Sequence, residues 1–146
     1  MDRSKLVHPD RHVGGDSATR RASVEHSAAL NAGYRILRDR VARAEYLVKL
    51  GGVDLDSSDP EGGAPHPDQL FLVDMIERRD ALDELREAGD EDGLETLSEA
   101  VEAEQDRLFT GVVEALDAGE TADAAAGLVH IRYLRRLANE LETALA

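Results

Sequence analysis

Apolar positions recur at helical spacing along most of the chain. No segment alternates apolar and polar residues long enough to predict a strand. From about Ser23 to Leu50 the pattern is helical, and Leu30, Tyr34, Leu37 and Val41 fall on one face. Asp39 can cap a new helix start before "RVARAEYLVKL", so a break or bend is expected near it. Gly51 and Gly52 end this unit, as Gly commonly does past a helix C-terminus. Residues 51–67, "GGVDLDSSDPEGGAPHP", concentrate Gly, Pro, Ser and Asp and read as a linker or long loop. Three more helices follow, about Asp68–Ala88 ended by Gly89, about Gly93–Leu116 ended near Gly119, and about Ala122–Leu145. "AGDEDG" and "DAGETAD" are short turns, so neighbouring helices should be antiparallel.

The apolar stripes name a core. The second of these helices offers Leu94, Leu97, Val101, Leu108, Val112 and Leu116; the third offers Leu128, Ile131, Leu134, Ala138, Leu141 and Leu145. The first, "DQLFLVDMIERRDALDELREA", carries more apolar surface than a stripe needs. Phe71, Met75, Leu82 and Leu85 line one face, whereas Leu72, Val73 and Ile76 lie off it. The positions that would extend them are Arg79, Asp80 and Asp83. An apolar patch that turns charged after two turns suits partner docking. Burial of the patch against the front half explains it equally well, and both readings stay open. The fold class expected is all-α, with a helical front unit over 1–50, a linker over 51–67 and a three-helix bundle over 68–146.

Composition narrows the chemistry. Aromatics make up 3% of the 146 residues and Trp is absent, so the core is built from Leu, Val, Ile and Ala. The chain has no Cys, which excludes disulfides and thiolate-held zinc or iron–sulfur clusters. No stretch approaches the roughly 20 apolar residues of a membrane span. The N-terminus "MDRSKLVHPDRH" lacks the apolar segment of a secretory signal, so a cytoplasmic protein is expected. The net charge of −14 is unevenly spread: residues 1–50 carry ten Lys or Arg against six Asp or Glu, and residues 51–146 carry seven against twenty-five. A front at +4 and a back at −18 suggest two modules with different partners. The acidic back repels phosphate, so nucleic acid is not expected as a partner of the whole chain. The basic front can be steered to an acidic protein surface.

Catalytic constellations are missing. No His-Glu-x-x-His, Gly-x-Ser-x-Gly or phosphate-binding Gly loop occurs. His8 and His12 are four apart, but Pro9 intervenes. His26, His66 and His130 are isolated and read as surface or packing residues. The carboxylates read as solvated helix faces. We expect no enzyme and no cofactor.

"KLVHPDR", followed downstream by "ALNAGYRILRDRVARAEYLVKLGGVDL", resembles the J-domain co-chaperones of iron–sulfur cluster assembly, the HscB type. "FLVDMIERRDALDEL" and "DAAAGLVHIRYLRRLANELETAL" resemble that family's first and last C-terminal helices, so the likeness runs in order along nearly the whole chain. The tripeptide His-Pro-Asp alone is weak, because "HPD" recurs at 66–68, where it does no more than start a helix. "RAEYL" joined to "FLxxMxExR" and "IRYLRRL" is far more specific.

The resemblance implies a function. The J-domain of this family stimulates ATP hydrolysis by a DnaK-type chaperone, HscA, and the bundle brings it the cluster scaffold protein, IscU. Carried onto this chain, His8, Pro9 and Asp10 form the chaperone-contact loop, with Pro9 stopping the preceding helix and Asp10 presenting its carboxylate to a cation. Arg3, Lys5 and Arg11 form the basic surface around it. Leu72, Val73, Ile76, Asp80 and Tyr133 are the matching scaffold-contact positions. Only seven residues precede His8, so relative to the family the first helix and most of the second are missing. A start assigned too far downstream is favoured over a shortened piece or a degenerate J-domain, because "MDRSKLVHPDR" reads like the middle of a helix. The linker is longer and more acidic than the family's, and Ala122 stands where a Trp is frequent. If the J-domain is defunct, the chain is instead a scaffold-binding or self-associating helical protein; oligomeric state is left open.

Overall fold

A computed structural model describes residues 39–146. Among them, helix α1 occupies 39–50, followed by α2 (Gln69–Ala88), α3 (Glu91–Asp117) and α4 (Thr121–Leu145). No strand occurs among the described residues, and the chain is all-α, as its apolar periodicity predicts. Leu30, Tyr34 and Leu37 lie outside the described residues, and Asp39 is the first of them, so the expected bend there lies outside too.

The caps explain where the helices begin and end. Asp68 has extended backbone (φ −63°, ψ 147°), and its carboxylate accepts from the Leu70 N–H at 2.8 Å, opening α2. Gly89 closes α2 at φ 65°, a left-handed conformation that costs a residue with a Cβ about 1 kcal/mol or more. The Asp90 N–H then bonds back to the Leu85 carbonyl at 3.0 Å, and the Asp90 carboxylate caps α3 by accepting from the Gly93 N–H at 2.9 Å. The same closure ends α3, where the Glu120 N–H bonds the Ala115 carbonyl at 2.8 Å beyond Gly119 at φ 74°. Two short turns thus make α2, α3 and α4 an antiparallel bundle.

The α3–α4 hairpin is the spine. α3 has 27 residues, about 40 Å at 1.5 Å per residue, and α3 against α4 is the most extensive pairing. One end of the hairpin packs against α2 through Met75, Leu82, Leu94, Val101, Leu134, Leu137 and Leu141. The other end packs against α1 through Val41, Ala44 and Val48 on one side and Val112, Ala115, Ala124, Ala125, Leu128 and Ile131 on the other. The predicted stripes hold: Leu94, Val101, Val112, Leu128, Ile131, Leu134 and Leu141 are buried, and Leu97, Leu108, Leu116, Ala138 and Leu145 pack at their edges. α4 buries more than its stripe, with Ala124, Ala125, Val129 and Leu137 added, because other elements surround it on several sides.

Residues 51–67 are a long loop that folds back onto the bundle rather than a free connection. Leu55 is buried in the same core as α1, with Val53 and Ala64 beside it. The loop closes on itself: the Asp54 N–H donates to the Gly62 carbonyl at 2.7 Å, and the Ala64 N–H to the Ser57 carbonyl at 2.9 Å. Gly51 sits hard against the start of α4, where a Cβ would come within 2.8 Å of Thr121 Cγ2.

Candidate functional site

The outer side of α2 carries one of two groups of exposed large apolar residues among the described residues; the other, Tyr46, Leu47 and Leu50, lies on α1. Leu70 is 77% exposed, Ile76 61% and Val73 45%. These residues cannot turn inward, because Phe71, Met75 and Leu82 already occupy the side of α2 that faces the hairpin. Leu72 is half-buried and Asp80 is exposed. α1 packs on the other end of the hairpin, and Leu70, Val73 and Ile76 stay uncovered among the described residues.

α4 supplies the neighbouring edge. Arg79 of α2 pairs with Glu140 of α4 at 2.7 Å. Arg79 lies seven residues after Leu72, and Glu140 seven after Tyr133, so each pair shares one side of its helix. The clasp therefore sets Leu72 and Tyr133 on facing edges of α2 and α4, two turns from the ion pair. Tyr133 is half-buried and meets Phe71 edge to face at 5.8 Å between ring centres. The Arg136 guanidinium lies 5.4 Å from the centre of the Tyr133 ring. Tyr133 and Arg136 also border a cavity of about 300 Å³ walled by residues of the 51–67 loop. The assembly is an apolar stripe beside an aromatic and a cation, a surface suited to a protein partner.

His130 supports this surface from beneath. Its ring stacks on Phe71 with centres 3.9 Å apart and planes within 4°. Burial lowers its pKa below the ordinary histidine value, while Asp68 and Glu104 pull in the opposite direction. His130 is thus a packing residue, as its isolation in the sequence suggested.

Of the scaffold-contact candidates, Leu72, Val73, Ile76 and Asp80 share the outer part of α2, and Tyr133 stands across from them on α4. Of the chaperone-contact candidates, Arg3, Lys5, His8, Pro9, Asp10 and Arg11 all lie outside the described residues. Among the described residues no group of three His, Asp or Glu side chains converges as a metal site, and no helix is long and apolar enough to cross a membrane. Sequence reasoning missed Leu70, the most exposed of the large apolar residues, because it lies in the first turn of α2, well before the charged flank at Arg79, Asp80 and Asp83 that drew attention to its neighbours.

The described residues form a helical bundle with large apolar residues exposed on the outer side of α2. The HSCB C-terminal oligomerisation domain matches residues 67–142, just over half of the chain, and the chain belongs to that family. It is similar to the solved structure of the chaperone HscB from Vibrio cholerae, with 27% identity and a TM-score of 0.60, over 96% of this chain and 80% of that one. The resemblance noted from "RAEYL", "FLVDMIERR" and "IRYLRRL" is therefore sound: this is an HscB-type protein.

Proposed function

We propose that the chain is a co-chaperone of iron–sulfur cluster assembly that brings a cluster scaffold protein (IscU) to a DnaK-type chaperone (HscA) and stimulates its ATPase. The observation that carries this reading is the uncovered apolar stripe Leu70, Val73 and Ile76 on α2, within the segment that matches the family. A stripe held open on a rigid bundle binds a partner with little ordering cost. In this reading Leu72, Val73 and Ile76 supply the apolar contact, with Asp80 and Tyr133 at its margin. His8, Pro9 and Asp10, with Arg3, Lys5 and Arg11, supply the chaperone contact.

The test is ATP hydrolysis by the chaperone with and without this chain and the scaffold. Stimulation of several-fold is expected, and Asp10→Asn should abolish it without changing scaffold affinity. Leu72→Ala with Ile76→Ala should weaken scaffold binding tenfold or more. Absence of stimulation by the intact chain would overturn the reading.

A second reading has support in the family's description as an oligomerisation domain. In it the J-domain is non-functional and the same stripe joins two copies of the chain or receives the scaffold alone. Sedimentation equilibrium separates the two: concentration-dependent mass that Ile76→Ala reduces, together with no ATPase stimulation, favours the second.

A further inference from the structure

Arg132 holds together three parts of the chain that are far apart in sequence. From α4, its Nε donates to Glu45 of α1 at 2.8 Å. Its Nη1 lies 3.1 Å from the Asp56 carboxylate and donates to the Leu55 carbonyl at 3.3 Å. The guanidinium is 29% exposed and Glu45 22%, so the pair is largely shielded from solvent. The hydrogen bond to Glu45 raises the Arg132 pKa against the opposing effect of burial.

The α1 side of the apolar contact that Arg132 accompanies is poor in shape information. α1 buries only Val41, Ala44 and Val48, all small, against Val112, Ala115, Ala124, Ala125, Leu128 and Ile131 of the hairpin. Apolar burial is non-directional, and small smooth faces can slide by a turn with little loss. A forked guanidinium that must reach a carboxylate on α1 and a carbonyl in the loop cannot follow such a slide. Fixing register is the best-attested use of a shielded polar pair.

We infer that Arg132 is a positioning residue, which fixes the register and rotation of α1 against the hairpin and so couples the front of the chain to the docking end. Its neighbour Tyr133 lies at the margin of the α2 stripe, so one turn of α4 carries both the clasp and part of the proposed docking surface. The consequence for ATPase coupling rests on the proposed function; the consequence for geometry does not.

The chain as a whole tests it directly. With no native Cys, Lys49→Cys on α1 and Glu87→Cys on α2, both exposed, accept two spin labels for a pulsed distance measurement. The parent should give one narrow distribution. Arg132→Ala and Glu45→Gln should each broaden or split it, while Asp56→Asn, which removes only the exposed loop carboxylate, should leave it narrow. Glu45→Gln carries the test if Arg132→Ala fails to fold. A parental distribution in Glu45→Gln overturns the inference, as does equal broadening in Asp56→Asn, which marks general loosening. In the ATPase assay, Glu45→Gln should lose at least half of the extra stimulation given by scaffold while its scaffold affinity stays within twofold. If the parent chain gives no stimulation, the proposed function fails and the distance measurement still decides the clasp.

Discussion

The two ends of the α3–α4 hairpin are closed in different ways. At the α2 end the core is built from long side chains, Met75, Leu82, Leu94, Leu134, Leu137 and Leu141. At the α1 end it is built mostly from Val and Ala, with Leu55 brought in from the loop. Long side chains interlock and specify their own packing. Small ones allow close approach but leave register open, and there a largely shielded ion pair stands beside them. The α2 end leaves Leu70, Val73 and Ile76 exposed; the α1 end exposes Tyr46, Leu47 and Leu50 as well, and adds polar contacts. The firm end is thus able to carry an exposed apolar stripe without losing its packing.

Four measurements break or sharpen that contrast. Leu137→Ala removes a fully buried side chain from the α2 end and should lower unfolding free energy by about 2–5 kcal/mol in urea denaturation. Val48→Ala, the fully buried counterpart at the α1 end, removes two methyl carbons and should cost roughly 1–2 kcal/mol. If Val48→Ala proves the costlier, the ranking of the two ends is wrong. Ile76→Ala should change stability by no more than about 0.5 kcal/mol, as expected of a surface position, even while it weakens partner binding.

The smallest effect is expected at His130. Its folded-state pKa is lowered, chiefly by burial, so the fold favours the neutral ring. The stability linked to that preference is present above the ordinary histidine pKa near 6.5 and is lost as pH falls below it. His130→Phe should keep the stack on Phe71 and flatten the pH dependence of stability in that range, read from urea midpoints on both sides of pH 6.5.

Much of the bundle was legible because its signals are local. Asp68, Gly89, Asp90 and Gly119 cap or close helices with atoms a few residues away, and the apolar stripes repeat every three or four residues. The apolar stripe on α2 was legible as a surplus of apolar positions, but periodicity alone could not decide between burial and exposure, since that depends on where α1 packs. Residues 51–67 read as a linker or long loop, and their Gly, Pro and Ser content left open how the loop is held; Leu55, the Asp54–Gly62 bond and the reach of Arg132 hold it down. The clasp itself was invisible: Arg132 and Glu45 are 87 residues apart, and nothing local marks either as different from the other charges on its helix.

The folded-back loop also decides how a protease would meet this protein. Leu55 is buried and its carbonyl is occupied by Arg132, whereas residues 58–62 are exposed on both sides of Pro60. Loop tips of this kind are where cleavage concentrates. A cut there severs the backbone and leaves Val41, Ala44, Val48, Leu55 and the Glu45–Arg132 pair in place. The two fragments should therefore travel together on a sizing column and separate only in denaturant, so an intact elution volume is no proof of an intact chain.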